Sequence, residues 1–331
     1  MGSDTIIPMK YVVTGGCGFI GSNYVRGLLS NRWGDNVSQV TVVDSLTYAG
    51  NLANLEPVIA DPRLTFVRED IVNQKEISQI LEGHDVVVHF AAESHVDRSI
   101  SGSAEFIRTN VLGTHSMLQA SLNAGIKQFL HVSTDEVYGS ISEGSWDEQE
   151  PLLPNSPYAA SKASSDLIAR SFFVTHGLDV RITRCSNNFG IYQYPEKVIP
   201  LFITNLMEGK KVPLYGDGLN VRDWLHVDDH CRGIQLVIDK GRAGQIYNIG
   251  GGTELSNIDL TMMIIEAMGA TTASIEPVED RKAHDRRYSV DITKIHNELG
   301  YAPQCTLHDS LSDIVKWYQD NEQWWKPLKS Q

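Results

Sequence analysis

Two neighbouring carboxylates, Asp135 and Glu136, follow a hydroxyl residue, Thr134, and Glu136 lies 22 residues before Tyr158. Adjacent carboxyl groups can divide acid and base work when their surroundings push their pKa values apart. The run Tyr158-Ala159-Ala160-Ser161-Lys162 places a phenol and an ammonium at i and i+4, on one face of a helix. A free tyrosine, with a pKa of about 10, is a poor base at neutral pH, and a neighbouring cation stabilises its phenolate. Each signal is weak alone. YxxxK arises often by chance, and the bland alternative for Asp135-Glu136 is a solvated acidic turn.

Such groups need a platform, and the first half of the chain supplies one. Tyr11–Thr14, Val40–Val43, Val86–Phe90, Phe129–Val132 and Val180–Thr183 are continuous apolar strands. Helical patterns at 18–29, 74–81, 104–124 and 157–176 alternate with them, which predicts a doubly wound parallel sheet covered on both faces. Gly15, Gly18 and Gly21 form a GxxGxxG spacing between the first strand and the first helix. That spacing serves a tight turn, a close pyrophosphate and a packed helix, with the helix N-terminus facing the phosphates. Asp44 ends the second strand 23 residues beyond Gly21, where a carboxylate binds ribose hydroxyls and repels a 2′-phosphate. NAD is therefore expected over NADP. Asp70 and Ile71 flank the adenine in this picture, and Phe90, Ala91 and Ala92 leave room over the fourth strand.

Thr134, Tyr158 and Lys162 match the Ser/Thr, Tyr and Lys of the extended short-chain dehydrogenase/reductase family. Asn110-Val111-Leu112-Gly113-Thr114 is similar to its NVxGT segment, and the chain resembles that family over essentially its whole length. Ser133-Thr134-Asp135-Glu136-Val137-Tyr138-Gly139 resembles the members that dehydrate nucleotide sugars, whereas epimerases carry small or neutral residues at 135 and 136. Asp44–Asn51, Ala92–Ser99, Asn187–Gly190 and Asn220–Trp224 agree. The resemblance implies a tightly held NAD, recycled each turnover, and conversion of dTDP-glucose to its 4-keto-6-deoxy product. Tyr158 would deprotonate the C4 hydroxyl as hydride leaves C4, with Thr134 hydrogen-bonded to the C4 oxygen. Glu136 would then take the C5 proton and Asp135 would protonate the departing C6 hydroxyl. Phe19, Ile20, Thr47, Ser94, Thr109 and Asn188 are further implied cofactor contacts.

An anionic substrate needs local cations, and Arg222 and Arg281 suit phosphate oxygens. Asp280-Arg281-Lys282-Ala283-His284-Asp285 resembles the family's phosphate segment, with Ala283 where glycine is usual and Ile191 where proline is common. Ser94, Asn187, Glu196, Lys197, Pro213, Tyr215, Asn257, His284 and Tyr288 are the remaining expected substrate contacts, Tyr215 stacking on the base. For each, a surface or packing role is the alternative. His95 and His226 lack a second histidine at i+3 or i+4, so no metal site is expected.

The formal net charge of −13 argues against nucleic acid or an anionic membrane surface. Four scattered cysteines form no CxxC pair and are expected to be reduced. No apolar run nears the ~20 residues of a membrane span, and no signal pattern opens the chain, so a cytoplasmic location is expected. Met9-Lys10 could begin the core chain, leaving the nativeness of residues 1–8 open. A Rossmann-like NAD domain is expected over 1–190, with a return near 226–255, and an interleaved α/β nucleotide-sugar lobe over 191–331. Helices from Ala104 and Pro157 would form a homodimer contact as in the family. The rivals are a UDP-sugar 4-epimerase, a UDP-sugar dehydratase, and a non-catalytic NAD sensor, against which the intact triad speaks.

Overall fold

The structure, a computed structural model, describes residues 8–34 and 36–329; of the 1–8 extension, residues 1–7 lie outside the described residues. The strands in chain order are β1 (Met9–Thr14), β2 (Val37–Asp44), β3 (Leu64–Arg68), β4 (Val86–His89), β5 (Gln128–Thr134), β6 (Val180–Cys185), β7 (Asn187–Phe189), β8 (Val212–Tyr215), β9 (Val221–His226), β10 (Ile246–Ile249), β11 (Glu254–Ser256) and β12 (Ile275–Val278). Seven of them form one sheet in the order β10-β6-β5-β4-β1-β2-β3. β1 runs parallel to β2 and β4, β2 to β3, and β4 to β5. The order reverses between β1 and β4, the switch point where open α/β sheets bind ligands at their carboxyl ends. Tyr11, Val12, Val13, Val40, Val42, Val43, Val86, Val87, Val88, Phe129 and Leu130 are fully buried. Their unbroken apolar pattern follows from covering both sheet faces, at roughly 1.5–3 kcal/mol per large apolar side chain removed from water.

Helices α1 (Phe19–Leu29), α2 (Gln74–Leu81), α3 (Thr114–Ala124), α4 (Pro157–His176) and α5 (Val227–Lys240) accompany these strands. The continuous helix expected over 104–124 is a composite. A short turn at Ala104–Phe106 leads into a π-helical stretch, Ile107–Gly113, and only then into α3. Two tertiary constraints meet in that stretch. The Asn110 amide bonds both backbone groups of Glu93 and the Ser161 hydroxyl, and a Cβ on Gly113 would lie 2.5 Å from Ile71 Cδ1. Bulges of this kind concentrate near functional sites.

By its contacts the chain divides into two compact units, each interrupted. The first holds residues up to Ser133, Pro157–Thr183 and Cys231–Tyr247; the second holds Thr134–Ser156, Arg184–His230 and Asn248 onward. Sequence patterning had placed 134–156 with the first unit and the returning segment at 226–255. The second unit carries a small sheet, β11-β9-β7, with β7 parallel and β11 antiparallel to β9, and the parallel pair β8 and β12. The loosely patterned 197–209 stretch contains a ten-residue helix, Val198–Met207. Pro200 sits in its first turn, where a missing N–H costs nothing. A core of Phe189, Ile203, Trp224, Leu260, Ile264, Tyr318 and Trp325 fills this unit. Among the described residues, no helix is long and apolar enough to cross a membrane.

Candidate active site

In the first unit the glycine-rich turn closes against the ends of β2 and β4. Gly15 has φ +66°, and a Cβ there would lie 2.7 Å from Ala91 N; one on Gly21 would lie 2.3 Å from Gly15 O. A Cβ on Gly18 would lie 3.3 Å from Gly15 O, a tight contact that favours glycine there. Phe19 and Ile20 begin α1, whose N-cap is Gly18 with no side-chain cap, leaving its first N–H groups to a ligand.

Asp44 is buried, and its carboxylate organises the neighbouring loops. Oδ2 accepts from Cys17 N at 2.9 Å and Oδ1 from Leu46 N at 2.8 Å. Burial pushes its pKa up, and these two backbone bonds pull it back. Each oxygen keeps a lone pair for a hydroxyl donor. Thr47 is exposed in the following loop, where its carbonyl accepts from Gly50 N. Asp70 accepts from Val72 N and pairs with Arg108 at 2.7 Å, while Ile71 is buried against Gly113. The Phe90 ring lies 5.6 Å from Tyr24, Ala91 N donates to Thr14 Oγ1, and Ala92 and Ser94 are half-buried. Thr109 lies in the π-helical stretch, its hydroxyl on Glu105.

Tyr158 and Lys162 lie in the first turns of α4, both buried. Lys162 Nζ donates to Val132 O at 2.8 Å. Ser161 Oγ donates to Tyr158 O, Asn110 donates to Ser161, and the Phe106 ring meets Tyr158 edge-on at 6.3 Å. This Asn110 brace had no signal in the sequence beyond its family segment.

The second unit opens with the acid pair. Thr134 caps a four-residue 3-10 turn, Asp135–Tyr138, accepting from Glu136 N at 3.3 Å and donating to Asp135 Oδ1 at 3.2 Å. A cap of this kind contributes about 1 kcal/mol. Asp135 is 3% exposed, and its Oδ2 has no hydrogen-bond partner. Burial, then the Glu136 and Asp223 charges, hold its pKa well above the carboxylate range. Glu136 is half-buried, and burial also raises its pKa, but Arg222, Arg281 and Lys197 oppose that rise. The two carboxyls are thus driven apart, the protonated form belonging to Asp135.

Arg222 is buried on β9, donating to Val221 O and Asp285 O, with its guanidinium 4.3 Å from the Tyr288 ring centroid. Tyr288 Oη donates to Asp285 Oδ2 at 2.6 Å, and Asn155 donates to Asp285 Oδ1 at 2.6 Å. Asp285, the last residue of the phosphate-like segment, is therefore an acceptor hub, a role the segment did not reveal because Asn155 lies 130 positions away along the chain. His284 pairs with Asp280 at 2.6 Å, and burial pushes its pKa down. Ala283 adopts φ +52°, the backbone that explains why glycine suits this position. Asn188 donates to Ser186 O and meets His230 Nδ1 through Oδ1; the buried Asn187 Oδ1 has no partner. Glu196 and Lys197 precede the 198–207 helix, with Lys197 as its N-cap. Pro213 and Tyr215 lie on β8, Tyr215 exposed, and Asn257 begins the 257–267 helix. Lys197, Arg222, Arg281 and Tyr288 thus share the surroundings of Glu136, and Asn257 N reaches the same neighbourhood through Asn220, which donates to Asp285 O.

A switch-point parallel sheet with a glycine cradle, and adjacent carboxyls of which one is buried and the other half-buried among cations, define a Rossmann-like α/β protein equipped for acid–base chemistry. The chain belongs to the GDP-mannose 4,6 dehydratase family, whose model matches residues 12–314. It is 56% identical to a dTDP-glucose 4,6-dehydratase of Streptomyces antibioticus over 323 residues, covering 97% of this chain and 96% of that one. A dTDP-glucose 4,6-dehydratase of Streptomyces griseus is 58% identical over 317 residues, 96% of each chain. The crystal structure of DesIV, the Streptomyces venezuelae dTDP-glucose 4,6-dehydratase with NAD bound, aligns with a TM-score of 0.96 at 59% identity, covering 97% of this chain and all of that one.

Proposed function

We propose that this chain is an NAD-dependent dTDP-glucose 4,6-dehydratase, forming dTDP-4-keto-6-deoxyglucose and water. The observation that carries the proposal is Asp135: buried, with one oxygen lacking a partner, next to a Glu136 surrounded by three cations. An epimerase has no step that needs a buried acid beside a base. The relatives' activity and their bound NAD support the same conclusion.

The residues present fit the cofactor, since Gly15 and Gly21 leave a cradle that a Cβ would fill and Asp44 keeps lone pairs for ribose hydroxyls. Held by the glycine cradle and Asp44, NAD would supply a reversible hydride acceptor for C4 oxidation and reduction at C6. Tyr158, helped by Lys162, removes the C4 hydroxyl proton as Thr134 steadies that oxygen. The ketone at C4 acidifies the C5 hydrogen, Glu136 takes it, and protonated Asp135 delivers a proton to the C6 hydroxyl, which leaves as water. A proton returned to C5 completes a redox-neutral conversion. Arg222, Arg281 and Lys197 hold the diphosphate.

The exposed Ile107, Leu112, Leu167 and Val174 support pairing of the 104–124 and 157–176 helices with a second copy, which light scattering would read as a dimer mass. A cytoplasmic location accords with the lack of a membrane-crossing helix among the described residues, and cell fractionation tests it. The decisive assay gives purified protein dTDP-glucose or UDP-glucose without added NAD. Alkaline absorbance of a 4-keto sugar from dTDP-glucose is expected. Formation of dTDP-galactose without that chromophore would sink the proposal.

A further inference from the structure

The 3-10 turn that carries Asp135 and Glu136 ends in Tyr138, a fully buried phenol that the reaction sketched above does not use. Arg184, 3% exposed at the end of β6, donates to Tyr138 Oη at 2.8 Å and lies 4.7 Å from the ring centroid. Tyr138 Oη in turn donates to Asn248 Oδ1 at 2.9 Å. Asn248 is fully committed: Nδ2 donates to Trp146 O and Asp291 O, and its backbone N donates to Glu148 Oε1. The phenol therefore has one orientation, accepting from Arg184 and donating to Asn248. Trp146 stacks on the ring at 6.4 Å. On the backbone side, Leu153 N donates to Val137 O, and Gly139 reverses the chain at φ +83°, where a Cβ would lie 2.4 Å from Leu153 O.

A buried cation is costly unless its partners are fixed, and the Tyr138 hydroxyl and ring are among the partners that fix this one. The four-residue 3-10 turn has poorer hydrogen-bond geometry than an α-helix, so the packing around Tyr138 adds to what the Thr134 cap supplies. Tyr158 and Lys162 have a separate anchor, the Lys162–Val132 bond. Resting on the dehydratase function proposed above, we infer that Tyr138, clasped between Arg184 and Asn248, is a positioning residue for the water-elimination half of the reaction and not for C4 oxidation. Burial pushes its phenol up to about 12, so it stays a neutral donor throughout the working range.

Tyr138→Phe keeps the ring and removes both hydrogen bonds. Product formation should fall about 10- to 100-fold, the size of effect that small misplacement of catalytic groups produces. C4 oxidation, followed by the near-ultraviolet absorbance of the reduced cofactor in a single turnover, should stay within about threefold. In a Glu136→Gln background the same change should add less than about twofold, since groups acting through one another are not additive. A purely structural role predicts instead that oxidation and elimination fall together with the melting temperature, and that the losses multiply. Either of those results, or product formation within twofold of wild type, overturns the inference. Arg184→Lys, which keeps the buried charge, is read by the same criteria should Tyr138→Phe not fold. A wild-type protein that forms no 4-keto sugar overturns the dehydratase function itself, and this inference with it.

Discussion

Lys162 Nζ reaches Val132 O across 2.8 Å, tying the helix that carries Tyr158 to the strand whose next two residues are Ser133 and Thr134. The bond fixes the ammonium two residues short of that strand's end. In the proposed reaction the same ammonium assists the Tyr158 phenolate, while this bond holds the helix in place.

Lys162→Met should therefore lose both functions at once. C4 oxidation is expected to fall at least about 100-fold, since general acid–base assistance contributes about 10²–10⁴. Lys162→Arg should recover little, because a planar fork does not replace a compact ammonium. Single-turnover kinetics reads both; an oxidation rate near wild type for Lys162→Met would remove the lysine from the chemistry.

Asp135→Asn and Glu136→Gln separate the two halves of the reaction. Each should spare C4 oxidation within about tenfold while cutting water loss by about 10²–10⁴. Product analysis alongside cofactor absorbance measures the two steps independently. Equal loss of oxidation and elimination would refute the division of labour between Tyr158 and the acid pair.

The pH profile follows from the split carboxyls. Asp135 has a folded pKa raised above its ordinary 3.8, chiefly by burial, so its protonated form favours the folded state. That favourable contribution is complete below 3.8 and is lost as pH rises through the raised value. Asp135→Asn should accordingly gain melting temperature relative to wild type as pH rises from 3.8 towards the raised value, with no further gain above it. Activity should fall on the alkaline side as Asp135 loses its proton, and on the acid side as Glu136 gains one. A wild type and an Asp135→Asn variant with parallel stability profiles would contradict this assignment.

Asp44 is expected to act on the cofactor through two routes. Asp44→Ala removes the partners of Cys17 N and Leu46 N and the expected ribose acceptor together. Protein purified from cells should carry at least about tenfold less NAD, consistent with about 1.4 kcal/mol per decade of affinity. Gly21→Ala should also empty the site, because its Cβ would lie 2.3 Å from Gly15 O. Calorimetric titration with NAD gives the affinities; unchanged NAD binding by Gly21→Ala would count against the cradle.

Much of the platform was legible because its causes are local. The GxxGxxG spacing, the apolar strands and the helix over Pro157–His176 follow from backbone freedom and short-range periodicity, and the expected helix matches the observed bounds. Tyr158 and Lys162 stand out by type and spacing, whereas Thr134, Asp135 and Glu136 gain their weight from the resemblance to the family's motifs. Local pattern could not show the π-helical stretch at Ile107–Gly113, because Asn110 is drawn there by Glu93 and Ser161. Nor could it show that the chain passes between units at 133/134 and 156/157.

The acid pair returns as the clearest division between the two levels. Sequence alone determined that two carboxyls stand side by side after Thr134. Only the tertiary structure decided that they differ, since Asp135 is buried with an unpartnered oxygen while Glu136 feels Arg222, Arg281 and Lys197. Charge and desolvation depend on distance through space, and those cations lie 61 to 145 positions away along the chain.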